Sequence, residues 1–211
     1  MTRSTRRSSS PVTAHLTAHL AVLANMVAHI GSVITASAVL TLMQAAPAAA
    51  QTVDPARSEI SFGFKQENVP GSGKFKKFAS QVTFDAAKPE ATRAHIDVDV
   101  TSVELGDAGW NNDIQGASWF NTKQFPKAVF TVSAAKALGG GRFEAPGKFT
   151  LKGITRDVVA SFTVKADAGG TMLEGSVPLK RNDFNIGDGP WADTSVVANE
   201  VAVRFKVYLK K

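Results

Sequence analysis

The sequence predicts an all-β protein, an eight-stranded antiparallel barrel, and three observations carry that prediction. Along the last stretch, Val201, Val203, Phe205, Val207 and Leu209 alternate with Ala202, Arg204, Lys206 and Tyr208. Side chains alternate faces along a strand, so this run has one apolar face and one wet face. The same period of two returns at Ile60, Phe62 and Phe64, at Ile96, Val98 and Val100, and at Val158, Ala160, Phe162 and Val164. Turn-forming residues cut the chain into short runs, and closing such a sheet on itself removes its exposed edges. An eight-stranded barrel is either just filled by its own side chains or holds one small ligand.

The predicted strands run near 58–65, 74–84, 93–103, 128–134, 142–152, 157–165, 171–180 and 197–209. The breaks between them are Pro70-Gly71-Ser72-Gly73, the stretch from Asp85 to Glu90, Gly139-Gly140-Gly141, Gly153-Ile154-Thr155 and Asp167-Ala168-Gly169-Gly170. From Gly106 to Pro126 the period of two is lost. Asp113, Ile114, Ala117 and Phe120 predict a short helical insertion within 107–125, stopped before Pro126.

The first fifty residues belong to a different kind of segment. Arg3, Arg6 and Arg7 precede an apolar run from Ile30 to Met43, followed by small residues ending in Ala48-Ala49-Ala50. That order is a secretory signal peptide over 1–50, cleaved before Gln51, and it predicts a periplasmic domain over 51–211. The uncharged run is also long enough for an uncleaved anchor, but the A-x-A site favours cleavage. Arg6-Arg7 lacks the apolar residues expected after a twin-arginine signal, and a start at Met26 would remove every basic residue from the leader.

The leader distorts the composition. The 211 residues carry 24 basic and 18 acidic side chains, a net +6. Three of the arginines are in the leader, which leaves 21 against 18, or +3, for the rest. A mildly basic domain without clustered Lys and Arg is not a nucleic-acid binder. With no cysteine at all, an exported domain has to rely on its core. All thirteen Phe, three Trp and one Tyr lie beyond residue 51, whereas His95 is the one histidine there.

Few residues suit catalysis. His95, Asp97 and Asp99 share one strand face, but the opposite face carries Ile96, Val98 and Val100, so the trio points to solvent. Same-face neighbours stand about 6.6 Å apart along a strand, too far to close on one ion, and no metal site is predicted. A Ser-His-Asp site would have to use His95, and no G-x-S-x-G elbow is present. Gly73-Lys74 fails as a phosphate loop, because Phe75 follows it and Asn68 stands where the first Gly belongs. The segment from Leu179 to Val197 mixes Arg181, Asp183 and Asp193 with Phe184, Ile186 and Trp191. It suits either a structured loop that plugs one end of the barrel or a portal whose Arg181 pairs an anionic head group.

Several runs together resemble one family. They are Gly73 to Phe78 before Val82-Thr83-Phe84-Asp85, Val100 to Glu104, and Asp113 with Trp119-Phe120-Asn121. They continue with Phe125 to Phe130, Gly147 to Thr155, Arg181 to Gly187, and Trp191-Ala192-Asp193-Thr194. In order and spacing the chain resembles the YceI-like, lipocalin-like periplasmic proteins that bind polyisoprenoids. The last run is similar to members associated with cytochrome b561-type membrane proteins. The resemblance implies an extended lipocalin-like barrel enclosing an apolar tunnel for an isoprenoid quinone, a polyprenyl phosphate or a fatty acyl amide, with no catalysis and no cofactor. Two departures bear on the ligand. This chain has Phe64-Lys65-Gln66 where the family often has a His, and Trp119-Phe120-Asn121 where paired Phe often precede Asp.

The expected function is therefore an exported, non-enzymatic protein that sequesters or carries an isoprenoid or similar amphiphile. Phe62, Phe64, Phe84, Ile96, Val98, Phe130, Phe149, Phe162, Val164 and Phe205 are predicted to face the interior, and Trp119, Phe120, Phe184 and Trp191 to form the mouth. Arg181, Lys152 and Arg156 are candidate partners of a head group. One rival is an accessory protein of a membrane redox partner, working through its outer surface with Trp110, in a loop, as anchor. The other is an enzyme acting on a lipid through His95 or Asp183. Dimerisation, common in the family, has no signature in the residues.

Overall fold

The computed structural model describes residues 50–211. The predicted signal peptide therefore lies, Ala50 apart, outside the described residues.

One antiparallel sheet curls around an apolar interior. Its strands are β1 (Glu59–Gln66), β2 (Val69–Phe75), β3 (Phe78–Thr83), β4 (Arg93–Asp99), β5 (Val103–Glu104), β6 (Lys127–Val132), β7 (Lys136–Gly139), β8 (Arg142–Leu151), β9 (Ile154–Asp167), β10 (Gly170–Lys180) and β11 (Glu200–Lys210). The hydrogen-bonded order is β3-β4-β6-β8-β9-β10-β11-β1-β2-β5, with β7 added beside β8. Every pairing is antiparallel, as the alternating patterns require. A short strap from the start of the domain ties one edge of the sheet to its interior: Gln51 bridges Val82 on the edge strand β3, and Val53 bridges Leu209 on β11.

Eleven strands replace the predicted eight, and the differences have local causes. The run 74–84 is cut at Lys76-Lys77 into the end of β2 and all of β3. The Pro70–Gly73 break is not a turn but the middle of β2. The hairpin turns instead at Glu67 and Asn68, both with positive φ, the geometry of a primed two-residue turn. Gly71 and Gly73 serve space and not flexibility: a Cβ on either would lie 2.5 Å from the Phe64 or Phe62 ring. The run 93–103 ends as a strand at Asp99, whose carboxylate accepts from the Thr101 amide and starts a 3-10 turn.

The predicted helix is shorter and earlier than its pattern suggests. Helix α1 spans Ala108–Asp113, capped by the Asp107 carboxylate on the Trp110 amide. It gives way to turns from Ile114 onward, and Phe120 is buried from those turns and not from a helical face. Trp110, predicted in a loop, stands on α1.

The inward-facing parity holds on the strands for which the pattern predicts it. Ile60, Phe62, Val98, Ala160, Phe162, Val207 and Leu209 are all buried, and Phe64, Ile96, Phe130, Phe149, Val164, Val203 and Phe205 pack against them. Phe84, Phe143 and Phe162 form one aromatic cluster with ring centroids 5.3 to 5.8 Å apart. Tyr208 departs from its predicted wet face. It is 2% exposed because the strap covers it: the Arg57 guanidinium lies 3.4 Å from its ring centroid, and its hydroxyl donates to Asp167 at 2.5 Å.

Candidate functional site: an apolar cavity with an aromatic rim

The strands' inner faces do not fill the barrel. A cavity of about 220 Å³ lies toward the end built by α1, the 65–69 hairpin and the 181–199 loop. A second lobe of about 90 Å³ lies toward the strap. The two share Ile60, Val98, Phe149, Leu179 and Val203 as walls, so they are neighbouring parts of one apolar interior. Either volume exceeds what one water needs, so the space is more than a packing flaw.

Of the predicted site residues, Phe62, Phe64, Val98, Trp119, Phe120, Phe149, Phe184, Trp191 and Arg181 line the larger cavity. Phe84, Ile96, Phe130, Phe162 and Phe205 line the inner lobe, with Val98 and Phe149 common to both. Val164 packs on the core without lining either. All three tryptophans of the chain gather at the larger cavity. Trp119 and Trp191 meet at 5.5 Å between ring centroids, and Trp110 and Trp191 remain 54% and 38% exposed, which places them at the rim.

Arg181 holds this end together. It is 4% exposed, and its guanidinium donates only to backbone carbonyls. Nε reaches Val197 and Ala198, Nη1 reaches Ile186 at 2.8 Å and Gly187 at 2.9 Å, and Nη2 reaches Trp191 at 2.8 Å and Val197 at 2.7 Å. The sequence marks this side chain for a ligand head group, but its donors already serve the loop. Gly187 has to be glycine here: its φ is positive, and a Cβ would lie 2.5 Å from Nη1. Burial pulls the Arg181 pKa down, yet a guanidinium keeps its proton, so a charge without a carboxylate partner sits in the cavity wall. Such a charge is tolerable because carbonyl dipoles replace its water.

Lys152 is spent in the same way. Its ammonium donates to the Asn185 carbonyl at 2.7 Å and lies 3.7 Å from Asp188. Arg156 is exposed, and its guanidinium donates only to the neighbouring Thr155 carbonyl. His95 pairs with Asp97 at 3.1 Å on the outer face, away from both lobes.

The polar side chains lining the space are few: Gln66, Asp113 and Arg181 in the larger cavity, Thr92 in the inner lobe. The Thr92 hydroxyl is buried without a hydrogen-bond partner among the described residues. Periodicity could not find Gln66, Asp113 or Ile114, because they enter from the hairpin end and the insertion. Such an interior can desolvate a hydrocarbon chain, at about 0.8 kcal/mol for each CH₂ buried.

Comparison with known proteins agrees with this architecture. The YceI-like domain model matches residues 51–209. A UPF0312 protein of Pseudomonas putida (strain W619) is 30% identical over 137 residues, covering 62% of this chain and 71% of the relative. Among solved structures, Burkholderia cenocepacia BcnA is 41% identical with a TM-score of 0.73, covering 75% of this chain and 100% of that one. A polyisoprenoid binding domain from Saccharophagus degradans shares the fold at 18% identity, with a TM-score of 0.62, 77% of this chain and 99% of its own covered. By its sequence across the whole barrel, the chain belongs to the YceI-like family.

Proposed function

We propose that this protein is an exported, non-enzymatic binding protein that holds an isoprenoid or a similar long-chain amphiphile in the barrel. The observation that carries this is the two-lobed apolar interior with tryptophans at its rim. Phe and Val walls supply tail affinity without polar chemistry. A tunnel of that kind suits a tail longer than the larger cavity alone, the inner lobe taking its far end. The polyisoprenoid binding of the Saccharophagus degradans domain supports the ligand class. The basic, apolar and A-x-A order of residues 1–50 supports export to the periplasm. A carrier is what a lipid needs to cross an aqueous compartment.

Exposed Trp110 favours a second reading, in which the outer surface docks a membrane redox protein. One experiment separates the two. The protein is purified from its native host and examined by native mass spectrometry, with organic extraction of what it carries. A stoichiometric lipid supports carriage. An empty barrel that takes up no added prenol defeats it and leaves the surface role.

A further inference from the structure

The wall of the barrel has a gap, and unpaired cations stand around it. Strands β9 and β10 pair from Asp167↔Gly170 to Ser161↔Ser176 and no further. Beyond that point β9 continues to Ile154 on the β8 side, and β10 continues to Lys180 on the β11 side. Pro178, which has no N–H to give a neighbouring strand, occupies that stretch of β10. The 3-10 turn Arg181–Phe184 lies against both strands at the gap. Its Phe184 is 2% exposed and meets Phe149 edge-on at 5.5 Å.

Outside the gap runs a groove, and the groove and the larger cavity have Phe64, Leu179, Phe184 and Val201 in common. These four side chains are the partition between them. The groove is lined by Lys65, Arg156, Lys180 and Arg204, against Asp157, Asp183 and Glu200. Asp157 is already paired with Lys148 at 2.8 Å. None of the four cations is ion-paired with an acid among the described residues. The groove thus keeps a surplus of positive charge. Arg156 stands on the inward parity of β9, in line with Val158, Ala160 and Phe162 and opposite Phe149. A guanidinium on that parity is out of place in a closed barrel. At the gap it can reach water and still border the apolar partition.

We infer that this groove is a lateral site for the oxyanion head of an amphiphile whose tail lies in the cavity, with Arg156 and Lys180 as its contacts. A guanidinium offers two parallel N–H donors to a phosphate or carboxylate, and the low-dielectric partition strengthens the attraction. The tail passes the partition where Phe184 gives way, and the head stays outside in the groove. The inference rests on the binding reading above and adds to it the charge of the ligand and the place of its head.

The test is a calorimetric titration of the intact barrel with farnesyl phosphate, with farnesol and with inorganic phosphate. It is repeated on Arg156→Gln and Lys180→Gln. Both side chains are exposed and carry no ion pair among the described residues, and melting temperatures check that the variants fold. The expected result is that farnesyl phosphate binds about tenfold more tightly than farnesol, the equivalent of about 1.4 kcal/mol. That ratio falls toward one in each variant, and inorganic phosphate alone binds far more weakly. A ratio near one in the wild type overturns the lateral head site and leaves the cavity reading standing. A ratio that survives both substitutions places the head elsewhere and overturns it too. Inorganic phosphate that matches farnesyl phosphate, with the same loss in Arg156→Gln, makes this a free-anion site and not a lipid site. Failure of both farnesyl ligands to bind overturns the cavity reading along with it.

Discussion

At the strap end, Arg57 lies half-exposed over the Tyr208 ring and reaches Asp167 at 2.9 Å, pinning the start of the domain across β11. At the rim end, Arg181 is buried, touches no carboxylate and binds the carbonyls of one loop. The first arrangement is a solvent-screened clasp on the outside of the region that holds only the smaller lobe. The second organises an irregular segment without filling the space beside it. A loop held by a ring of main-chain contacts keeps its shape around a void, because its rigidity does not depend on side chains packing inward. The difference teaches why the cavity is larger at the rim end.

Changes at four positions would break or sharpen that contrast. Phe162→Arg has the largest expected effect. It puts an unpaired charge among Phe84, Phe143 and Phe205, costs roughly 4 kcal/mol or more, and abolishes folding or ligand binding. A variant that melts like the wild type would show that this face of β9 is not interior. Arg181→Met comes next, at about 3 kcal/mol, because buried carbonyls lose their donors. Arg181→Lys should recover only part of that, since an ammonium cannot span the same carbonyls. Recovery of full stability by the lysine would mean that charge alone, and not the fork of donors, holds the loop.

At the strap end the effect depends on pH. Hydrogen bonds from Tyr208, then from Arg57 and the Gly169 amide, hold the Asp167 carboxyl well below the usual carboxylate range. A lowered folded pKa means that this contribution is whole above the unfolded carboxyl value of about 4 and is eroded as the pH falls below it. Tyr208→Phe should therefore melt a few degrees lower at neutral pH, with the gap to wild type closing in acid. A gap constant with pH, followed by calorimetry, would remove Asp167 from the explanation. Thr92→Val is the smallest change. It replaces an unpartnered hydroxyl beside the inner lobe with a methyl group, and denaturant unfolding should show a gain of about 1 kcal/mol.

Much of this was legible in the residues, and what was missed follows a pattern. Alternation set the inward face of β1, β4, β9 and β11 correctly because a one-residue slip would turn the whole apolar set to water. The same logic misread Pro70–Gly73, where composition signals a turn. Glycine there makes room for the Phe62 and Phe64 rings of the neighbouring strand, and a contact between strands has no local signature. Parity assigns Tyr208 to the wet side because it knows nothing of a strap folding over it. The sequence marks Arg181 for a head group, but its partners are carbonyls that no sequence pattern displays. Val164 has the right parity and packs on the core, yet lines neither lobe, because parity fixes the face and not the depth. Pro178 is the clearest unused signal. A proline inside a strand marks where one neighbour stops pairing, and here it marks the gap beside β9.

The central claim is that the interior is a container for a hydrocarbon chain, and a series of prenols of increasing length tests it most directly. Affinity measured by calorimetry should rise with each added isoprene unit, by about 0.8 kcal/mol for each carbon buried, and then level off once both lobes are occupied. Affinity that stays flat from the shortest prenol to the longest would contradict the account.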